Sequence, residues 1–178
     1  HAGRKASCAK PWQGGKPLDA AQGGWQTLGP SPIGFGDYPP PREMTQDEIR
    51  ATVAEFAKGA RHALAAGFDV VEVHGAHGYL LHNFCSPLSN QRKDEYGGSL
   101  ENRMRFPLEV ARAVRETWPS DKPVFYRISA TEWADGGWDL AQSIELARRL
   151  KDIGIDMIDC SSGGNIHHAQ ITLGPGYQ

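Results

Sequence analysis

Three observations in the sequence predict a parallel α/β fold. Helix-like and strand-like stretches alternate from residue 45 to residue 161. The links from each helix to the next strand are short. The helices also carry their own start and stop residues, at Thr45, Ser99 and Asp139 and at Gly67 and Gly154. Parallel strands need a crossover between them, and the crossover is usually a helix, so this alternation implies a parallel sheet covered by helices. Such crossovers are right-handed, so the units wind one way.

The elements follow in order. Residues 4–44 hold much of the glycine and proline, including Pro39-Pro40-Pro41, and lack convincing periodicity. They read as a long loop of the functional or mobile kind, with room for short strands around Gly24 to Leu28. Thr45-Gln-Asp-Glu48 is a capping box, in which the hydroxyl and the carboxylate satisfy orphan amide donors. Ile49, Val53, Phe56, Ala60 and Leu64 then recur at helical spacing, and Gly67 closes that helix. Residues 68–74 read as a strand, followed by a short helix around Leu80 to Phe84. Ser99 caps a second long helix whose apolar face uses Met104, Leu108, Ala111, Val114 and Trp118; Pro107 inside it predicts a kink or a break. Pro123 to Ser129 is the next strand. Asp139 caps a helix with Ile144, Ala147 and Leu150 inward, and Ile155 to Ser161 is the last strand.

Composition narrows the function. The 178 residues are 39% hydrophobic and 22% charged with a formal net charge of −2, which is ordinary for one globular domain. No basic run marks a nucleic-acid or anionic-membrane partner, and the apolar runs fall far short of the ~20 residues of a membrane span. Cys8, Cys85 and Cys160 are odd in number and far apart, with no C-x-x-C pair. That argues against a disulfide scaffold or a zinc ribbon and fits a reducing cytoplasm, with all three thiols structural. The chain starts at His1 and stops in the turn-rich Gly174-Pro-Gly-Tyr-Gln178. We therefore expect a piece of a longer protein. A closed eight-stranded barrel takes ~250 residues, so this chain has room for about half the strands and leaves two sheet edges open.

The chemistry concentrates in His74-Gly75-Ala76-His77-Gly78-Tyr79, which follows the strand-like Phe68 to Val73 without a break. In parallel α/β proteins active sites sit where strands become loops. Two imidazole N–H donors aimed at one point can hold a carbonyl oxygen or an anion, and a phenol two residues on can supply a proton. Strand alternation puts Glu72 and His74 on one face and Val71 and Val73 on the other, and the valines suit packing against helices. Phe125, Arg127 and Ser129 share a face of the next strand. A buried Arg127 needs a partner, and Glu72 or an anionic, electron-rich ligand qualifies. A lone His-x-x-His is weak evidence, and a structural ion pair is the commoner role for such an arginine. No third residue stands at a metal-ligand spacing, so no metal is expected. His167-His168 reads as solvated loop, Asp94-Glu95-Tyr96-Gly97-Gly98 as a turn, and Trp133 and Trp138 as loop packing.

Six segments in order carry a resemblance. They are His1-Ala-Gly-Arg4, His74 to Leu81, Phe84 to Asn90, Arg92 to Ser99, Glu101-Asn-Arg103 and Arg127-Ile-Ser129. Together they resemble the Old Yellow Enzyme family of FMN-dependent NAD(P)H:flavin oxidoreductases, or ene-reductases, over nearly the whole chain. Residues 123–178 look most like its YqjM-type bacterial branch. The resemblance implies a (β/α)8 TIM barrel, of which residues 1–178 would be the central part of a single FMN-binding domain, from about the exit of strand 3 through strand 6. It implies FMN as cofactor, NADPH or NADH as reductant, an enone or similar activated alkene as substrate, and a homo-oligomeric parent. By position, His74 and His77 would hold the carbonyl oxygen, Tyr79 would be the proton donor, and Arg127 would contact the N1/O2 edge of the flavin. By the same resemblance, the family's glutamine before His-Ala-Gly-Arg would lie upstream of His1, and the branch's flavin-tuning cysteine near the first strand would also lie outside residues 1–178. Competing readings are a dienoyl-CoA reductase on the same barrel, a metal-dependent barrel hydrolase or an aldolase. A fragment inactive by itself, whose activity belongs to the parent, is the non-enzymatic one.

Overall fold

A computed structural model of the chain describes residues 2–171 and 174. The element order is β1 (Leu28–Gly29), β2 (Arg42–Glu43), α1 (Gln46–Ala65), β3 (Val71–Gly75), α2 (Leu80–Cys85), α3 (Leu100–Thr117), β4 (Val124–Ser129), α4 (Leu140–Ile153) and β5 (Met157–Ser161). Strands β3, β4 and β5 form a parallel sheet in that order, with His74 beside Arg127 and Arg127 beside Asp159. The alternation read from the sequence is therefore the architecture.

The local signals act as expected. Thr45 Oγ1 accepts from the Glu48 amide at 3.2 Å and the Glu48 carboxylate accepts from the Thr45 amide at 2.9 Å, so both halves of the capping box form. Ser99 and Asp139 cap α3 and α4 by accepting from the amides three residues on. Gly154 ends α4 at φ 94°, in the left-handed region where a side chain would be strained. The short helix expected around Leu80 to Phe84 is α2, and it is buried along its whole length.

Four expectations need correction. Phe68 is 60% exposed and lies before β3, which starts at Val71 and runs on to Gly75. The final strand likewise begins at Met157 rather than Ile155. In both cases apolar residues in the turn after a helix mimic the start of a strand. In α4 the inward residues are Ser143, Leu146 and Leu150, while Ile144 is 44% exposed, so the apolar stripe is turned by one residue. Of the two outcomes expected at Pro107, a kink or a break, the break does not occur: α3 continues from Leu100 to Thr117 with Pro107 itself buried. The short strand expected around Gly24 to Leu28 lies at the end of that stretch, as β1 at Leu28–Gly29, paired in parallel with β2.

The core lies between the sheet and its helices. Val73, Val124, Tyr126 and Ile128 from the strands meet Phe106, Val110 and Val114 of α3 and Leu146 and Leu150 of α4. Gly75 leaves the space that the Tyr126 ring occupies, because a Cβ there would stand 2.3 Å from it. One sheet face is thus committed to packing. The alternate residues, Glu72, His74, Phe125, Arg127 and Asp159, are left for the other face.

Candidate active site

Three strand exits build the site. β3 delivers His74, then a loop bearing His77, Gly78 and Tyr79; β4 delivers Arg127 and Ser129; β5 delivers Asp159 and Ser161. The His74 ring lies 5.1 Å from the His77 ring and 5.6 Å from the Tyr79 ring, centroid to centroid, so the three predicted side chains form one cluster. His77 reaches it through a left-handed backbone, φ 58°, followed by Gly78 at φ 67°. The structure holds that strained turn at several points. The His77 amide donates to Ser129 Oγ at 2.9 Å, and its ring Nε2 meets Ser161 Oγ at 2.7 Å. Lys5 Nζ donates to the His77 carbonyl at 2.6 Å and to the Gly164 carbonyl at 2.6 Å. Gly78 is required there, since a Cβ would stand 2.2 Å from the Gly164 carbonyl oxygen.

The electrostatics favour neutral donors. Burial pushes His74 down to about 4, helped by His77 and Arg127. Burial, with Arg127 and Lys5, lowers His77 as well. Burial raises Tyr79, so its phenol keeps its proton. Lys5, pushed down to about 8 by burial and the neighbouring Arg4, sits 5.0 Å above the Tyr79 ring and 4.6 Å above that of Phe35. At neutral pH the cluster therefore presents imidazole and phenol groups rather than imidazolium and phenolate.

Of the two partners anticipated for Arg127, Glu72 or a ligand, the first gives way to Asp159 as the ion-pair partner. Arg127 Nη1 is 3.4 Å from Asp159 Oδ2, with a third of each side chain exposed. Burial, with the nearby Asp159 charge, raises the Glu72 carboxyl. Arg127 Nε is buried without a hydrogen-bond partner among the described residues. A buried donor with nothing to donate to is costly. It fits an acceptor-rich ligand such as the pyrimidine edge of a flavin. His167 and His168 are exposed, as expected of solvated loop. With Arg4, Phe35 and Trp133 they line a cavity of about 700 Å³ in which His74, His77 and Tyr79 take no part. Cys85 is buried and its thiol is pushed up to about 12, which fits a structural role.

The sequence of the chain matches the pattern of the family described as NADH:flavin oxidoreductase / NADH oxidase over residues 15–175. The chain belongs to that family. It is 51% identical over 150 residues to an NADPH dehydrogenase of Bacillus velezensis, an alignment covering 84% of this chain and 44% of the relative. It therefore spans under half the length of that relative. Among solved structures, a 2-naphthoyl-CoA reductase in complex with 2-naphthoyl-CoA matches with a TM-score of 0.77 at 33% identity, over 84% of this chain and 23% of that one. The Old Yellow Enzyme homologue from Zymomonas mobilis matches with a TM-score of 0.72 at 31% identity, over 90% of this chain and 45% of that one. The fold is a partial barrel of the kind these structures share, as the resemblance implied.

Several residues of the site were not singled out from the sequence. Lys5, Ser129 and Ser161 hold His77, and a buried polar cluster lies behind the loop. Glu132 is fully buried and accepts from Ser86 Oγ at 2.6 Å, the Trp138 amide at 2.6 Å and Asn165 Nδ2 at 2.6 Å. Asn165 Oδ1 accepts from Arg4 at 3.1 Å and from Asn83 Nδ2 at 2.9 Å. Arg4 also donates to the carbonyls of Ile33, at 3.3 Å, and Gly34, at 3.0 Å. Arg4 and Ser86 stood inside the segments that carry the resemblance, which was one available signal. Glu132 had none, since its setting Thr131-Glu-Trp133 reads as an ordinary loop.

Proposed function

We propose that residues 1–178 are the central part of an FMN-binding barrel domain in a longer protein, an NAD(P)H-dependent ene-reductase acting on α,β-unsaturated carbonyl compounds. The observation that carries this reading is the cluster of His74, His77 and Tyr79 at the exit of β3, next to an Arg127 whose buried Nε lacks a partner among the described residues. Membership of the flavin oxidoreductase family supports it, as does the NADPH dehydrogenase name of a 51%-identical relative. Bound FMN would take hydride from NADPH or NADH and pass it to the β-carbon of the alkene.

The side chains of this chain do the rest. Hydride addition drives negative charge onto the carbonyl oxygen, and His74 and His77 donate hydrogen bonds to it. A preorganised donor of this kind contributes about 3–4 kcal/mol to the transition state. With Nε2 of His77 engaged by Ser161, its Nδ1 is the atom left for substrate. Tyr79 O–H gives a proton to the α-carbon, and its raised pKa keeps that proton in place until transfer. Arg127 would donate to the N1/O2 edge of the cofactor and stabilise negative charge there. The chain by itself supplies only part of a cofactor site, so activity belongs to the longer protein. The parent is expected to be a cytoplasmic homo-oligomer.

The test is the visible spectrum of a full-length protein carrying this chain, before and after anaerobic NADPH. Flavin bands that bleach with NADPH and return on adding cyclohexenone are the expected result. A colourless protein that cannot be loaded with FMN would overturn the reading.

A further inference from the structure

Gly78 joins His77 to Tyr79, and both its amide and its carbonyl meet side chains that lead back to one buried group, Glu132. The Gly78 amide donates to His82 Nδ1 at 3.0 Å, and the Gly78 carbonyl accepts from Asn83 Nδ2 at 2.9 Å. Asn83 Nδ2 also reaches Asn165 Oδ1 at 2.9 Å, and Asn165 Nδ2 reaches Glu132 Oε2 at 2.6 Å. His82 Nε2 faces the same Oε2 at 3.6 Å, an electrostatic contact rather than a full hydrogen bond. Resting on the ene-reductase reading, we propose that Glu132 is a positioning residue for the reaction: through His82 and through Asn165–Asn83 it fixes the Gly78 peptide, and with it the spacing of His77 and Tyr79.

The chemistry explains why a carboxylate stands there. The Ser86 hydroxyl, the Trp138 amide and the Asn165 amide present hydrogens to it, and the His82 ring faces it at 3.6 Å. A carboxylate without a proton accepts on both oxygens and sets no hydrogen of its own against these donors. His82 is neutral, because burial together with Lys5, His77 and Arg4 pushes it down to about 3. A neutral His82 that accepts at Nδ1 must carry its proton on Nε2, facing Glu132. The carboxylate thereby selects the tautomer that can accept from Gly78. Gly137 leaves the room for this carboxylate, since a Cβ there would meet Glu132 Oε1 at 2.0 Å. In Glu132→Gln the amide NH₂ must face either the Trp138 N–H or the Asn165 and His82 hydrogens. The second orientation favours a proton on His82 Nδ1, donor against donor with Gly78.

The test uses a full-length, FMN-loaded protein carrying this chain, with ¹⁵N-labelled histidine, and His82 assigned by the signals lost in His82→Asn. We expect the His82 ring to be protonated at Nε2 and bare at Nδ1, and Glu132→Gln to shift protonation towards Nδ1. We further expect Glu132→Gln to slow alkene reduction by about 10²-fold, the cost of an ~1 Å misplacement, with flavin reduction by NADPH far less affected. His82→Asn keeps an acceptor for the Gly78 amide through Oδ1, so Glu132→Gln should cost several-fold less in that background. A wild-type His82 protonated at Nδ1 would overturn the proposal even if no Glu132 variant folds. So would equal slowing of both half-reactions with full additivity of the two substitutions. A protein that binds no FMN would defeat the ene-reductase reading, while the tautomer measurement would still judge the clamp.

Discussion

On the helix-free face of the sheet, Arg127 and Asp159 stand 3.4 Å apart with a third of each side chain exposed, and His74 beside them is half-buried. In the cluster behind the β3 loop, Glu132, Asn83 and Asn165 are wholly buried and His82 nearly so, and the Glu132 carboxylate has three hydrogen bonds. The two regions use similar residue types to different ends. Half-exposed groups can exchange water for a ligand at modest cost and so remain available for chemistry. Buried polar groups must find partners within the fold, because an unpaired one costs a full desolvation penalty. On the proposed reading the first region acts on a ligand, and the second fixes where the first stands.

That contrast is open to experiment, taken in order of expected effect in full-length protein. Tyr79→Phe should slow alkene reduction by about 10²–10⁴-fold while leaving flavin reduction by NADPH nearly intact, measured as two half-reactions in stopped flow. Equal loss in both would put Tyr79 with the structural cluster instead. His74→Ala should cost about 10²–10³-fold in alkene reduction and weaken binding of phenolic ligands strongly; unchanged ligand binding would remove it from the carbonyl-holding role. Asn165→Ala should act the other way, lowering stability by about 1–3 kcal/mol through the partners it leaves unsatisfied, as read by urea unfolding.

Acid provides a fourth test. His74 and His82 sit at about 4 and about 3 when folded, against an ordinary 6.5. Between those limits the unfolded chain binds more protons than the folded one, so stability is full above pH 6.5 and declines as pH falls through the window. His82→Asn should flatten that decline, and an unaltered pH–stability curve would contradict a neutral, buried His82. The smallest stability effect is expected at Arg127→Ala, within about 1 kcal/mol because the ion pair is partly exposed, although FMN affinity should fall. A large loss of stability there would show that Arg127 belongs to the structural class.

Much of this organisation was legible in the chain. The caps at Thr45, Ser99 and Asp139 are local, written in residues three apart that meet whatever the rest of the fold does. The cluster of His74, His77 and Tyr79 was legible for the same reason, since it lies within six residues at one strand exit. Errors came where local and tertiary signals diverge. Phe68 and Ile155 follow a helix and read as strand, and Ile144 is apolar yet faces outward because neighbouring elements, not the helix, decide which stripe is covered.

The sequence alone determined the alternation of elements, the parallel sheet, the neighbourhood of the chemistry and, through six ordered segments, the family. Those properties rest on periodicity, capping and motif order, which are short-range. The tertiary structure alone decided that Arg127 pairs with Asp159 rather than Glu72, that Ser161 takes one nitrogen of His77, and that Glu132 stands behind Gly78. Those contacts join residues from 32 to 84 positions apart in the chain. Their partners are set by strand register and by the folding of three loops onto one another, which no single stretch of sequence encodes.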